Sequence, residues 1–572
     1  MTQWDVQGFR QSVRPIGIDV LWILGLALLV LGSGLGVRDP WPADEPRFAL
    51  IARDMVEGGQ WLFPRIGGDW YPDKPPAYFW IVAALYTLTG SLRLAFLLPS
   101  LLASVGTLFL VYDLGRRLWD RQSGFTAALA LLFTLQFTLQ AHMAQIDAVL
   151  CFWITLSLYG FCRHLLRADG WRWYALGGFA AGLGVITKGV GFLPFLILIP
   201  YALARRWQWK LPHIEGEAWR WALAPATFAL GIGLWLMPML VAVAVRGDPQ
   251  LAVYRDEILF HQTVGRYASA WHHQRPFYYY LGTILGLWLP LILLLPWLVG
   301  RWWERLRKHD ARVLLLVSWI VLVLLFFTLS SGKRGVYILP ALPAFAVVSG
   351  PWLAGLAQRP DVRRTLFALA LFGTLLFAAV FVALQWFLPE QAARVEAELG
   401  LPTFLPLAIM AIGGAVALAF YRTERAPQAC AAVIAIFWFV AGWWIAPVIN
   451  DHRSGRIFME QVQATAAVDR PLALLAYKEQ FLLYLERSAF NFGHARWREG
   501  RAEAQDAAAW LNQTPEGQLL VSESHLPLCF ATSPRTPAGT TSREAWWIVS
   551  PPADASCAAA GDASRARLVR AR

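Results

Sequence analysis

Long apolar runs separated by short basic segments dominate this chain and restrict it to the membrane. Runs such as 92–114, 148–166 and 313–329 are about as long as a helix that crosses the hydrocarbon core, which needs roughly 20 apolar residues. Of the 572 residues, 57% are hydrophobic and only 15% are charged, and the mean hydropathy is +0.45. Because water-soluble domains do not have this composition, the sequence predicts a polytopic α-helical membrane protein.

We predict about thirteen transmembrane helices. Their ranges are 20–37, 92–114, 124–144, 148–166, 173–186, 189–204, 221–245, 278–299, 313–329, 336–356, 366–388, 404–420 and 429–448. The first run lacks a small-residue cleavage site, so we expect it to remain as an anchor. A further run, 75–90, opens with two prolines and is short for a span. We therefore expect a juxtamembrane helix there.

The distribution of Lys and Arg predicts the orientation. If 75–90 does not cross, six basic loops fall on the side of the N-terminus, which the positive-inside rule makes cytoplasmic. Loops 38–91 and 246–277 and the C-terminal part are then periplasmic, and the protein is expected in the bacterial inner membrane. These loops also account for the net charge of +12, so we predict membrane lipids and no nucleic acid as partners. The basic loops contain Arg116, Arg117 and Arg121; Arg163, Arg167 and Arg172; Arg205, Arg206 and Lys210; Arg301 to Arg312; Arg359 to Arg364; and Arg422 and Arg425.

The chain divides into a transmembrane domain, 1–450, and a polar C-terminal domain, 451–572. In the second, "PLALLAYK", "GQLLVSES" and "EAWWIVSPP" are typical of short buried strands, and "EQFLLYLER" and "AEAQDAAAWLN" are typical of helices. We therefore predict a small periplasmic α/β domain. Cys529 and Cys557 lie in it and form either one disulfide or a free pair.

The first predicted periplasmic loop contains a short amphipathic helix. Phe48, Ile51, Ala52, Met55 and Val56 follow helical spacing, and Gly58 and Gly59 end the helix. Two acids, Asp44 and Glu45, precede it. Carboxylates at a helix N-terminus are commonly caps, so capping and catalysis are both open for these two residues.

Further charged residues fall on the same predicted face. "YPDKPP" contains Asp73 and Lys74, and Asp147 lies in the short connection between two spans. Alone, Lys74 is explained as an interfacial lysine and Asp147 as a helix cap. Charges at membrane depth commonly face a cavity and carry function, however. Arg266, Lys333, Arg334 and Tyr337 complete a set suited to binding a lipid phosphate beside a reacting sugar.

Four segments in this order resemble bacterial GT-C glycosyltransferases related to the protein O-mannosyltransferases, most closely the lipid A aminoarabinose transferases. They are "PADEPRFALIARDM…GGDWYPDKPPAYFW", "AQIDAVLCFWITLSLY", "ITKGVGFLPF" and "SGKRGVYILPALPAFA". The resemblance implies a GT-C fold. It also implies transfer of a sugar, 4-amino-4-deoxy-L-arabinose, from undecaprenyl phosphate to a periplasmic acceptor, lipid A phosphate, with resistance to cationic peptides such as polymyxin.

The resemblance also implies roles for individual residues. Asp44 corresponds to the acidic catalytic residue of the first loop and Asp147 to a second acidic residue, with Glu45 as a further candidate. Lys74 corresponds to the lysine that binds the donor phosphate. Arg266 and Tyr337 resemble further phosphate ligands, and Lys333 and Arg334 lie beside Tyr337.

Other functions remain open at this point. The same residues would suit transfer of another sugar, or transfer to an acceptor in the lipopolysaccharide core or on protein Ser or Thr. Alternatives of another class are a lipid transporter and a scaffold with a C-terminal binding module. No metal-ligand motif accompanies His142, His261, His272 and His273, so we expect no metal site, although a divalent metal requirement is left open. We expect a monomer.

Overall fold

The computed structural model describes residues 16–260, 275–494, 496–541 and 543–569. It is mostly helical up to residue 465 and has a β-sheet after it. The α-helices are Ile16–Leu31, Glu45–Gly58, Ala77–Thr89, Leu92–Ala95, Leu98–Leu118, Arg121–Leu132, Leu135–Ala141, Ile146–Arg167, Trp171–Lys188, Leu198–Arg206, Leu223–Arg246, Pro249–Asp256, Tyr279–Leu287, Leu295–Arg307, Ala311–Leu329, Ala341–Leu356, Pro360–Val382, Pro389–Leu399, Phe404–Tyr421, Ala426–Val440, Ala446–Ser454, Arg456–Thr465, Glu479–Leu483, Arg501–Gln513, Leu526–Cys529 and Ala555–Ala559.

These helices make the chain a multi-span membrane protein. Within the described residues, 7 helices are long and apolar enough to cross a membrane, or up to 9 if each of two bent pairs counts as one span. The other predicted spans coincide with helices that are shorter or less apolar, such as Ile16–Leu31 and Ala341–Leu356. Length and composition alone therefore support a smaller number of spans than the thirteen predicted.

Two predicted spans are broken, and local chemistry explains both breaks. Helices Arg121–Leu132 and Leu135–Ala141 meet at 66°. Between them the Thr134 hydroxyl donates to the Ala130 carbonyl at 2.7 Å, which competes with the helical ladder. Helix Tyr279–Leu287 and the helical segment Leu291–Arg307 diverge by 98° around Pro290, which has no N–H to continue a helix.

The first loop contains the two short helices that were predicted. Its amphipathic helix, Glu45–Gly58, ends at Gly59, whose φ of 66° suits glycine. Helix Ala77–Thr89 has 13 residues, roughly 20 Å of length, and is too short to cross the bilayer. The Phe48 and Tyr78 rings of these two helices meet edge to face at 5.4 Å.

A mixed sheet occupies the C-terminal region. Its strands are β3 (Leu472–Leu474), β4 (Ala489–Asn491), β5 (Gln518–Ser522), β6 (Arg535–Thr541), β7 (Glu544–Val549) and β8 (Arg567–Val569), after a two-residue hairpin of β1 (Arg65–Ile66) and β2 (Asp69–Trp70) in the first loop. The order is β6-β7-β5-β3-β4-β8, with β3 parallel to both neighbours. Each of the three segments expected to form a strand contains one, and Cys529 and Cys557 form a disulfide.

The C-terminal region packs on the first loop. The Asp69 carboxylate accepts a hydrogen bond from the backbone N–H of His494 at 2.7 Å and pairs with Arg567. The Asn491 amide donates to the Gly67 carbonyl at 3.1 Å. The loop and the sheet therefore lie on the same side of the helical region.

Candidate functional site

Asp44 occupies the N-cap position of the loop helix without capping it. Its side chain makes no hydrogen bond to the first turn. The carboxylate instead lies 3.7 Å from the Arg334 guanidinium and 3.9 Å from that of Arg47, and 26% of the side chain is exposed. The capping interpretation is therefore wrong for this residue. An accessible carboxylate between two cations is available to a substrate.

Glu45, the next residue, has a different environment. Its side chain is buried and forms a bidentate ion pair with Arg38 at 2.5 and 2.8 Å. The same carboxylate accepts backbone N–H bonds from Trp41 and Ala144, each at 2.9 Å. All of these partners hold the loop in place. The geometry makes Glu45 a structural anchor between the first loop and the connection before Asp147.

Asp147 lies in the first turn of helix Ile146–Arg167, and Gln145 takes the N-cap position. The Asp147 carboxylate is buried and forms an ion pair with Lys188 at the end of helix Trp171–Lys188. The Lys188 ammonium also lies 4.9 Å from the centre of the Tyr337 ring. Asp147, Lys188 and Tyr337 thus form one cluster.

The remaining candidates are placed less closely together. The Lys74 ammonium donates to the Asp73 carbonyl at 3.0 Å, and that of Lys333 donates to the Ser330 carbonyl at 2.6 Å. Lys333 is buried, whereas Arg334 is partly exposed beside Asp44. Arg266 lies outside the described residues, as do His261, His272 and His273. In the part of the chain that is described, no group of three or more His, Cys, Asp or Glu side chains could hold a metal ion.

Tyr78 connects the acidic residues. Burial raises the pKa of its hydroxyl, and the nearby charges of Glu45, Asp147 and Asp44 raise it further. The charges of the three carboxylates thus reach the same phenol, which stays protonated. Sequence reasoning missed Tyr78 because a buried aromatic residue in an apolar helix has no distinguishing signal.

A cavity of about 410 Å³ opens beside Asp44. Its lining combines charged residues, which include Asp44, Arg334 and Arg453, with apolar ones, which include Leu97 and Trp438. His142 also lines it, with its ring stacked on Trp438 at 3.9 Å. The cavity therefore suits an amphiphile whose polar end approaches Asp44.

Arg47 joins the site to the C-terminal region. Its guanidinium forms an ion pair with Glu479 at 2.8 Å. Burial alone would lower the pKa of Arg47, but the Glu479 carboxylate outweighs it and the pKa is raised. Because Glu479 is more than 400 positions away, sequence spacing gave no signal for this pair.

A second network ties the start of the loop to the segment after the last span. Asp39 accepts hydrogen bonds from Arg93 at 2.8 Å, from Arg456 at 2.7 Å and from the Asn450 amide at 2.9 Å. Burial would raise the pKa of Asp39, but these donors outweigh it and hold the pKa below its ordinary value. Asp39 is therefore a fixed anion that fastens the loop.

Comparison with known proteins identifies the family. The model of the dolichyl-phosphate-mannose-protein mannosyltransferase family matches residues 73–232. An undecaprenyl phosphate-alpha-4-amino-4-deoxy-L-arabinose arabinosyl transferase of Sodalis glossinidius is 32% identical over 433 residues, which cover 73% of this chain and 74% of that protein. The chain belongs to the family of these arabinosyl transferases. Members from Pseudomonas fluorescens and Pseudomonas aeruginosa are 34% and 33% identical, and the chain spans 59% and 58% of their length.

The fold is also that of a solved family member. The crystal structure of ArnT from Cupriavidus metallidurans bound to undecaprenyl phosphate superimposes with a TM-score of 0.73, covering 93% of this chain and 98% of that one at 21% identity. Its apo state gives a TM-score of 0.71. At this identity the likeness establishes the fold alone, which is the GT-C architecture that the family resemblance implied.

Proposed function

We propose that this protein is a glycosyltransferase that moves 4-amino-4-deoxy-L-arabinose from undecaprenyl phosphate to a phosphate of lipid A and so confers resistance to polymyxin. The observation that carries the proposal is the position of Asp44. It is an uncapped, accessible carboxylate beside Arg334, at the polar end of an amphiphile cavity. The relatives' names give the donor and the sugar, and the ArnT structure holds undecaprenyl phosphate.

The reaction breaks one bond and forms another at the anomeric carbon. An acceptor oxygen attacks this carbon, the bond to the donor phosphate oxygen breaks, and the electron pair leaves with the phosphate. Fixed cations stabilise the charge that grows on this leaving group. Lys74, Arg334 and Arg266 are proposed for this task, as are Lys333 and Tyr337.

The acidic residues have different tasks. A phosphate acceptor is already anionic and needs no base, so Asp44 would orient the acceptor through its sugar hydroxyls, and for a hydroxyl acceptor Asp44 would take the proton. Asp147, held by Lys188, keeps a negative charge close to the sugar ring, where positive charge develops. Glu45 positions the loop through Arg38 and takes no part in bond making.

We also propose a topology of thirteen spans, with the N-terminus cytoplasmic and the first loop and C-terminal domain periplasmic in the inner membrane. The six basic loops support it, as does the Cys529–Cys557 disulfide, because disulfides persist in the periplasm and are rare in the cytoplasm. The protein acts as a monomer in this proposal, since one chain provides every proposed site residue.

The test is transfer by purified Asp44→Asn protein in nanodiscs that contain donor and lipid A. We expect a loss on the order of a hundredfold or more in the transfer rate, at unchanged thermal stability. Glu57→Gln is the matched control, because Glu57 is a half-exposed acid on the same helix. Near-normal transfer by Asp44→Asn would refute the role of Asp44. Donor movement across the bilayer without consumption would refute the enzyme assignment.

A further inference from the structure

A strongly basic cavity lies far from the candidate site. Its volume is about 430 Å³. The charged residues that line it are six cations and one acid: Arg117, Arg167, Lys210, Arg305, Lys308, Arg312 and Asp310. They come from the ends of several helices and from the segment after Arg206.

The cavity is at the opposite end of the spans from Asp147. Helix Ile146–Arg167 has 22 residues, so Asp147 at its start and Arg167 at its end are roughly 30 Å apart. The cavity therefore has no part in the transfer site. It must be explained by what is present on the other membrane face.

The charges in this cavity are not balanced within the protein. Arg117 shares Asp113 with Arg116, and Arg167 shares Asp169 with Arg163. Lys308 pairs with Glu304 and Arg312 with Asp310, and the charges of these two acids also reach Arg305. In the described part of the chain, neither Lys210 nor Arg305 forms a direct ion pair, so the cations outnumber the acids that serve them. Cations held together in this way repel one another unless an anion joins them.

Capping of helix ends explains some of these cations but not all of them. The Arg312 guanidinium donates to the Leu118 carbonyl at 2.6 Å, and that of Arg167 donates to the Arg117 carbonyl. Both stabilise the C-terminus of helix Leu98–Leu118. No such carbonyl contact occupies the side chain of Lys210 or Arg305 in the part of the chain that the structure describes. These two remain available to a ligand.

The walls of the cavity are fastened to each other. The Trp209 ring stacks on His309 with centres 5.0 Å apart, which joins the segment that carries Lys210 to the turn after helix Leu295–Arg307. Both Gln208 and His309 adopt left-handed φ values, 54° and 57°. Residues other than glycine hold this conformation at a cost, of order 1 kcal/mol or more. The two basic segments are therefore kept side by side.

The helix that ends at the cavity has the character of an interfacial helix. The segment Leu291–Arg307, which contains it, diverges by 98° from the helix before it. Leu298 and Trp302 are buried on one face, whereas Arg301 and Trp303, on either side of that face, are exposed. Amphipathic helices with tryptophan and arginine lie along the membrane surface. In such an orientation Arg305 and the cavity would lie at the depth of lipid phosphates.

We propose that this cavity binds a phosphate-bearing anion, with Lys210 and Arg305 as the principal ligands. The anion is either the headgroup phosphate of an anionic phospholipid in the adjacent leaflet or a soluble phosphate. Basic pockets between transmembrane helices on the cytoplasmic side bind such headgroups. The bound anion would neutralise the unpaired charges and hold the helix ends together.

The test compares two double variants of the full chain. Lys210→Gln/Arg305→Gln removes two charges from the cavity, and Arg364→Gln/Arg425→Gln removes two from other basic loops of the same predicted face that do not line it. Delipidated protein is titrated with phosphatidylglycerol or phosphatidylcholine and followed by native mass spectrometry. A second arm measures the melting temperature in phosphate against chloride of equal ionic strength.

We expect the cavity variant to bind one phosphatidylglycerol more weakly by roughly fivefold for each charge removed, about 25-fold in total, and the control to bind like wild type. A selective loss of stabilisation by inorganic phosphate would instead identify the soluble anion as the ligand. Equal losses in the two double variants, or no loss in either arm, would overturn the proposal. If the double variant is unstable in phosphatidylcholine nanodiscs, the single variants provide the same comparison.

Discussion

Replacing Glu45 by Gln should loosen the first loop, because it leaves Arg38 buried without its carboxylate. The two side chains are 8% and 9% exposed, and the pair is bidentate. Breaking a buried ion pair by removing one partner costs about 3 to 5 kcal/mol. Arg38 keeps hydrogen bonds to the Asp39 and His142 carbonyls, at 3.1 and 3.0 Å, so we expect the lower end of that range.

Hydrogen exchange of the backbone amides in residues 38–48 measures this loss directly. A cost of about 3 kcal/mol corresponds to roughly a hundredfold faster exchange through local opening. Asp44→Asn provides the contrast. The Asp44 carboxylate lies 3.7 and 3.9 Å from partly exposed arginines, and ion pairs of this kind contribute about 1 kcal/mol or less to stability. Asp44→Asn should leave exchange nearly unchanged while transfer is lost.

The two adjacent acids thus have opposite expected signatures. Arg38→Lys should follow Glu45→Gln in direction, since a lysine cannot donate the two parallel bonds. If the amides of residues 38–48 exchanged in Glu45→Gln at a rate within threefold of wild type, the Arg38–Glu45 pair would not be what fastens the loop. If Glu45→Gln showed normal hydrogen exchange but no transfer, Glu45 would have a role in the transfer reaction itself.

Three further changes test other parts of the structure. Burial raises the pKa of Glu503 to about 7 from 4.5. The folded state therefore binds an extra proton between these pH values and loses roughly 3 kcal/mol of stability as the pH rises through them. Glu503→Gln should reduce the fall in melting temperature from pH 5 to pH 8, and an unchanged fall would contradict the assignment. Replacing Cys529 and Cys557 by Ser should destabilise the C-terminal region by about 3 to 4 kcal/mol, seen as faster proteolysis there; cleavage at the wild-type rate would argue against the crosslink. Lys188→Met should slow transfer and destabilise the protein, because it leaves Asp147 unpaired. In the double variant, Asp147→Asn should restore the stability but not the transfer rate. Recovery of the transfer rate would show that Asp147 has no part in the mechanism.

The helical architecture was largely predictable from the sequence because it depends on local composition. Apolar runs locate the spans, and the glycine pair ends the loop helix where it was expected to end. The helix breaks at Thr134 and Pro290 were missed, since both residues lie inside segments that are apolar enough overall to be predicted as continuous spans. The count of thirteen spans is therefore an interpretation of hydropathy, and helix geometry alone does not reproduce it.

The candidate site was predictable only as a set of residue types on one face. The structure brings Asp44 next to Arg334, and Asp147 next to Lys188 and Tyr337. These contacts join residues that are between 41 and about 300 positions apart, so no local pattern indicates which cation each carboxylate meets. Glu45 shows the difficulty most clearly, because it has the same charge and nearly the same sequence context as Asp44.

The amino-acid sequence by itself determined that this chain is a membrane protein, where most helical segments lie and where three of the six C-terminal strands lie, because water, hydrocarbon and backbone hydrogen bonding act on each segment separately. Only the tertiary structure decided the division of labour between neighbouring acids. A carboxylate becomes an anchor when buried donors surround it, as Arg38, Trp41 and Ala144 surround Glu45. It becomes available for chemistry when it opens on a cavity, as Asp44 does. Burial and partner geometry, which arise only when distant segments meet, make that distinction.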